Sequence, residues 1–419
     1  MGTAPAAGGS ANFSVEEAAV KAARPEACTR SGPDIRRGGV MIIGVPRETH
    51  RHEHRVGLTP VAVRRFVGLG HQVVVERSAG LAARFADREY EEAGAQVVYS
   101  SEEAFRRADL VCKIGVISSE ELALLKPGLV IGAFHHLAVT PRSTVEQLCA
   151  LEVTAIGYEL IQDAQGRRPI LVPFSEMAGQ MAVYLASYYL QNELGGRGIL
   201  LGSVPGIAPP TVLILGAGTV GRTAARRALA IGAHVIVLDE RLAKLRAVSQ
   251  ELSGQVVTQL VSPGRLAQYT RIADVVIGAV LIPGARAPFL VTEEMVKAMR
   301  PGSVIIDLSI DQGGCVETSR PRTPDTPTYV VHDIVHYCVP NMTANVARTA
   351  SRALADAAQG LLDEVVTKGI TAALRDNPGF AAGTYLYRGH VVQQRVAAAH
   401  GLPVASLADL LAEDRGTTP

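Results

Sequence analysis

The sequence has no block of basic residues. Its 41 Lys and Arg balance 40 Asp and Glu, for a formal net charge of +1. That removes the electrostatic case for nucleic acid or an anionic membrane as a partner. No apolar run approaches the length needed to span a bilayer. There is no CxxC pair either. The five cysteines, Cys28, Cys112, Cys149, Cys315 and Cys338, are odd in number and widely spaced. They read as reduced, mostly buried thiols of a cytoplasmic protein. Residues 1–40 lack the hydrophobic core of a signal peptide. Rich in Ala, Gly, Ser, Pro and Arg, they read as a mostly disordered extension with one short helix around Val15 to Ala23. No short internal repeat is present.

What is present suits a globular protein. The 419 residues exceed one ordinary core, so two domains are expected, and 47% apolar against 19% charged residues fits large buried sheets. The chain is organised around Val212 to Asp239. An apolar run leads into Gly216-Ala217-Gly218-Thr219-Val220-Gly221, a helical pattern follows, and a second apolar run ends at Asp239. Gly216 allows the tight turn, Gly218 lets a pyrophosphate approach, and Gly221 lets helix pack on strand. Phosphates suit the open N–H groups of a helix start. An acid at the spacing of Asp239 accepts from ribose hydroxyls, which favours NAD over NADP.

The remaining pattern is strands alternating with helices. Met41 to Val45, Gln72 to Glu76, Leu110 to Ile114 and Leu129 to Phe134 read as strands, and Thr59-Pro60 opens a helix running to about Gly70. Glu120 to Leu125 reads as a helix. Ser175 reads as the cap of a long helix, Glu176 to Leu194, that bridges the domains. Asp274 to Ala279 and Ser303 to Asp307 are strands, and Thr343 or Asn345 opens a helix reaching about Leu374. The fold class is therefore α/β: two doubly wound, Rossmann-like domains with parallel sheets and a cleft between them. The expected division is 41–170 with 345–419 as a discontinuous substrate domain, closed by the C-terminal helices, and 171–344 as the NAD-binding domain.

Ligands gather at the carboxyl ends of such strands. Arg55 lies in the loop after the first strand and suits a substrate carboxylate. His135 and His136 end a strand, and either could serve as acid and base, a choice that spacing leaves open. Asp311, among glycines past another strand, is a third candidate. His50, His52 and His54 alternate within a charged loop without other ligands nearby, so no metal site is expected.

From Met41 nearly to its end the chain resembles the alanine dehydrogenase family, with the nucleotide-binding domain of proton-translocating transhydrogenase as a more distant relative. The blocks that carry the resemblance are GVPRETHRHEHRVGLTP, AFHHLA, PFSEMAG, GGRGILLGSVPGIAP, IGAVLIPGARAP, IDLSIDQGGCVETSRPRT and VVHDIVHYCVPNM, in that order. The resemblance implies NAD-dependent deamination of an amino acid to a 2-oxo acid, reversibly, in a homo-oligomer, usually a hexamer. It implies that Arg55 holds the substrate carboxylate, that His136 rather than His135 is catalytic, and that Asp311 is the active-site aspartate. It also implies that Ser175, Asp239 and Asn341, with Gly216, Gly218, Thr219, Val220 and Gly221, contact NAD. One departure stands out. The family reads Lys-Val-Lys-Glu-Pro where this chain has Lys113-Ile114-Gly115-Val116-Ile117, so Gly115 replaces the family's substrate-binding lysine. Lys113, on the same strand face two residues earlier, could substitute. Alternatively the glycine marks an altered substrate, or the protein binds NAD without turnover.

Overall fold

The structure, a computed structural model, describes residues 39–281 and 287–416. The expected extension with its short helix, Cys28, and part of the IGAVLIPGARAP block lie outside these residues.

Six strands form the first parallel array: β1 (Ile42–Val45), β2 (Gln72–Glu76), β3 (Gln96–Val98), β4 (Leu110–Cys112), β5 (Val130–Ala133) and β6 (Thr154–Gly157). The second array follows: β7 (Thr211–Leu215), β8 (His234–Asp239), β9 (Val257–Leu260), β10 (Val275–Gly278), β11 (Val304–Asp307), β12 (Thr328–Val331) and β13 (Ile334–Tyr337). The C-terminal part adds β14 (Thr384–Tyr387) and β15 (His390–Val391) to the first sheet. The orders are β15-β14-β6-β5-β4-β1-β2-β3 and β12-β13-β11-β10-β7-β8-β9. Within each, the parallel part has the doubly wound order, with its switch point between β1 and β4 or between β7 and β10. The antiparallel pairs are β14 with β6, β14 with β15, and β12 with β13. The first sheet is thus extended by strands as well as covered by the expected C-terminal helices.

The inner strands of both sheets are buried on both faces, which is why they are mostly apolar rather than alternating, whereas the edge strands β9 and β12 are partly exposed. One core joins β1, β2 and β4 to the helices Pro60–Gly68 and Ala347–Lys368 through Ile43, Val63, Phe66 and Leu354. The opposite face packs Val111, Ile131, Leu148 and Leu386. The second sheet has a similar pair of cores, around Ile214, Val237 and Ala224 on one side and Leu215, Ile236 and Ile305 on the other.

Three elements differ from the sequence reading. The bridging helix spans Leu171–Tyr189, so Ser175 lies in its second turn and caps nothing. Pro173 does not delay the start, because a proline in the first turn surrenders an N–H that has no helical partner. The closing helix stops at Lys368, and Gly369 at φ +79° separates it from the helix Ile370–Asp376. The helix expected at Glu120 to Leu125 is a short one, Ser119–Leu122, started by a Ser118/Glu121 capping box.

Candidate active site

The switch point of the second sheet carries the glycine turn. Gly216 sits at φ +105°, and a Cβ there would meet the Ala279 carbonyl oxygen 2.5 Å away. A Cβ on Gly221 would strike the Gly216 carbonyl. Gly218 is the opposite case: a Cβ there would meet nothing within 4 Å. Gly218 is also the N-cap of the helix Thr219–Ala230 and supplies no side chain to its first N–H groups. The result is an open cradle at a helix N-terminus, which fits a dinucleotide pyrophosphate. Thr219 and Val220 begin that helix. Asp239 ends β8 and is buried. Its Oδ2 accepts from the Ala217 N–H at 2.8 Å and its Oδ1 from the Arg241 N–H at 2.8 Å, with Lys244 Nζ 3.6 Å away. It therefore ties the glycine turn to the next loop, and each oxygen keeps a lone pair for a ribose hydroxyl.

The switch point of the first sheet carries the loop after β1. Arg55 is buried and held from several sides. Its Nε and Nη2 donate to the two oxygens of Glu53 at 2.7 and 2.6 Å. Nη2 also reaches Asn341 Oδ1 at 2.8 Å and Nη1 reaches Thr343 Oγ1 at 3.3 Å, while the ring of Phe174 lies under the guanidinium. Burial alone would raise the Glu53 carboxyl; the hydrogen bonds and charge of Arg55 outweigh it and bring it below the usual range. Asn341, at φ +51°, donates from its side-chain nitrogen to Glu53 and from its backbone N–H to Asp311 Oδ1 at 3.0 Å. Arg55, Asn341 and Asp311 are thus one hydrogen-bonded chain joining the two sheets. By surface area Asp311 is exposed. The surrounding protein still raises its carboxyl by burial, against the lowering pull of the Asn341 N–H, His136 and Arg55.

The structure separates the two histidines after β5. His135 is fully buried, bonds through Nε2 to the Ile131 carbonyl, and is pushed down by burial. His136 keeps 56% of its side chain exposed and stands at φ +47°. Its backbone N–H donates to Glu159 Oε1 at 2.7 Å, and its Nδ1 lies 3.6 Å from the same oxygen. Tyr385, on β14, donates to that oxygen at 2.8 Å. Glu159 Oε2 is buried without a partner among the described residues. Sequence reasoning passed over Glu53, Glu159 and Tyr385. Only the spacing of Glu53 to Arg55 was visible, and Tyr385 reaches the site from a strand more than two hundred residues away.

Lys113 requires a correction. The argument that it shares a strand face with residue 115 fails because β4 ends at Cys112. Lys113 is 1% exposed, and its Nζ bonds to both oxygens of Glu121 at 3.0 and 2.9 Å, with Glu48 at 3.5 Å. Burial would discharge the ammonium, but the two carboxylates raise it and keep it charged. The Glu48 carboxylate also takes the N–H groups of Ile114 at 2.6 Å and Gly115 at 3.1 Å. Burial raises the Glu48 carboxyl in spite of Lys113. His52 lies 3.5 Å from Asp325 in an exposed loop contact. Among the described residues no helix is long and apolar enough to cross a membrane.

The fold defines a class: an α/β protein of two doubly wound sheets, with an open helix N-terminus at the switch point of the second. Residues 44–178 match the family described as alanine dehydrogenase/PNT, N-terminal domain, and residues 182–394 its C-terminal domain. The chain belongs to this family. It is 41% identical over 372 residues to an alanine dehydrogenase of Mycobacterium tuberculosis, covering 89% of this chain and 100% of that protein. It is 42% identical over 371 residues to one from Halomonas elongata, covering 88% and 100%. A solved L-alanine dehydrogenase superposes with a TM-score of 0.83 at 39% identity, covering 86% of this chain and 99% of that one. A transhydrogenase from Sinorhizobium meliloti superposes at 0.72 with 26% identity, covering 84% and 99%. These homologues support an NAD-dependent amino-acid dehydrogenase.

Proposed function

We propose that the protein interconverts a small L-amino acid, alanine among them, with its 2-oxo acid and ammonia, using NAD. The observation that carries this reading is the hydrogen-bonded chain from Arg55 through Asn341 to Asp311. NAD would be held by Gly216, Gly218, Gly221, Thr219 and Val220 around the pyrophosphate and by Asp239 at the ribose, and would accept or deliver the hydride. Asn341 and Ser175, which the family resemblance assigns to the cofactor, would also contact NAD. Arg55 orients the substrate carboxylate with what remains of its guanidinium. His136 Nδ1 faces Glu159, so Nε2 is left to exchange a proton with the substrate nitrogen or oxygen. Asp311 orients the attacking water or ammonia.

The domain division at 41–170 with 345–419, against 171–344, is supported by the return of β14 and β15 to the first sheet. Homo-oligomerisation, as a hexamer or a dimer, is a proposal that sedimentation of the purified protein checks. The four described cysteines are free thiols, which suits the reducing cytoplasm.

The test follows NADH absorbance with pyruvate and ammonium, in wild type and in His136→Ala. We expect wild-type turnover, and a loss of at least about 100-fold in the variant with NADH affinity preserved. Turnover retained in His136→Ala would remove His136 from the mechanism. NADH binding without turnover on any amino or oxo compound would favour a non-catalytic NAD-binding protein instead.

A further inference from the structure

We infer that His135 and Glu159 hold a buried water between them, and that His135 thereby acts through Glu159 as a positioning residue for His136. The inference rests on the dehydrogenase reading above and adds to it the group that supports the His136 proton. The Ile131 carbonyl can only accept, so His135 Nε2 carries the ring proton in their 3.1 Å bond. Burial keeps this imidazole neutral by pushing it down, with the Glu159 carboxylate the first group to pull it back. Nδ1 is therefore a bare acceptor. It is buried, as is Glu159 Oε2, and neither atom has a hydrogen-bond partner among the described residues. Both residues flank Tyr385. Its ring meets the His135 ring edge-on, with 6.3 Å between centroids, and its hydroxyl donates to Glu159 Oε1 at 2.8 Å. Gly157 adds no side chain to the same space; a Cβ there would lie 3.2 Å from Glu159 Oε2. Two acceptors cannot satisfy each other, whereas a water brings two donors and serves both.

The consequence falls on His136. A carboxylate with one oxygen bare in a dry wall holds its charge poorly. The water donates to Oε2 and keeps Glu159 an anion, so that Oε1, 3.6 Å from His136 Nδ1, favours the imidazolium. Other charges face these groups. Asp311 acts on His136 from the second sheet, Lys113 acts on His135, and Arg168 and Arg395 act on Tyr385. None of them bonds to His135 Nδ1 or Glu159 Oε2.

The test compares wild type with His135→Leu, which removes the Nδ1 acceptor, and with His135→Asn, whose side-chain oxygen restores one. The first readout is the pH profile of kcat/KM for pyruvate with NADH at fixed free ammonia, whose alkaline limb marks loss of the His136 proton. The second is the pH dependence of the diethylpyrocarbonate reaction that His136→Ala abolishes, which needs no turnover. We expect both to move to lower pH by about one unit in His135→Leu and to stay close to wild type in His135→Asn. Unmoved profiles in His135→Leu, or equal movement in the two variants, would overturn the inference and leave the dehydrogenase reading intact. If His135→Leu fails to fold, a high-resolution crystal structure of the wild type decides. A water within about 3.2 Å of both atoms supports the inference, and a direct protein partner for either atom, or dry space between them, overturns it. A wild type that turns over no oxo acid, with the diethylpyrocarbonate profiles moving as expected, would overturn the dehydrogenase reading alone.

Discussion

Among single residues, Glu159 has the largest consequence that sequence reasoning overlooked. Its Oε1 holds the His136 backbone at φ +47° and faces the imidazole Nδ1. A non-glycine residue in that left-handed conformation costs about 1–2 kcal/mol, and the charge-assisted bond to the His136 N–H offsets it. Glu159→Gln keeps an acceptor but loses the charge. It should lower kcat about 10- to 100-fold, with NADH affinity and circular dichroism unchanged; an unchanged kcat would reduce Glu159 to a packing role. Asp311 invites a different measurement. Its raised native pKa means the folded state binds its proton more tightly than the unfolded chain does. That contribution to stability is full below the ordinary carboxyl value and is lost as pH rises through the raised value, above which the crowded charge costs stability. Asp311→Asn should therefore gain in melting temperature over wild type as pH goes from about 4 to about 8, while losing activity. A constant difference across that range would contradict the raised value.

At the level of elements, the packing of the helix Leu171–Tyr189 on the helix Thr219–Ala230 decides where the phosphate cradle points. The contact depends on Gly179. A Cβ there would lie 2.5 Å from the Val220 carbonyl and 3.0 Å from the Ala224 nitrogen, both backbone atoms that cannot step aside. Gly179→Ala should cost about 1–3 kcal/mol of stability in urea and weaken NADH binding, because the first turn of the second helix must shift. Stability lost with NADH affinity intact would show that the cradle is set by the glycine turn alone. Element boundaries were readable wherever local chemistry controls them. Thr59-Pro60 starts its helix as a cap does, with Thr59 accepting from the Ala62 N–H. Ser175 was misread because a serine before a helical pattern looks like a cap, whereas apolar packing of Phe174 and the tolerance of Pro173 carry the helix further back.

In the molecule as a whole, the two sheets are tied where the Asn341 carboxamide meets Arg55 and Glu53. Asn341 begins the segment that leads from the second sheet into the helix Ala347–Lys368 and so back to the first. Asn341→Ala should release that tie. We expect faster hydrogen exchange in the loop His50 to Arg55 and a raised substrate KM; unchanged exchange there would mean other contacts hold the sheets together.

The amino-acid sequence alone was enough for the α/β class, the glycine turn, Asp239, and the candidates Arg55, His136 and Asp311. Most of these follow from periodicity, from glycine's unique backbone freedom, and from the strand-end rule, all of which act over a few residues; the choice of His136 over His135 came only from the family resemblance. Tertiary structure decided the rest. It buried His135 and exposed His136, although they are adjacent in sequence. It turned Lys113 away into Glu121 and Glu48, and it brought Asn341, Thr343 and Tyr385 to the site from distant segments. Those outcomes depend on which charges desolvate together and which carboxylates meet which donors. That is a property of long-range packing, and no local pattern in the chain encodes it.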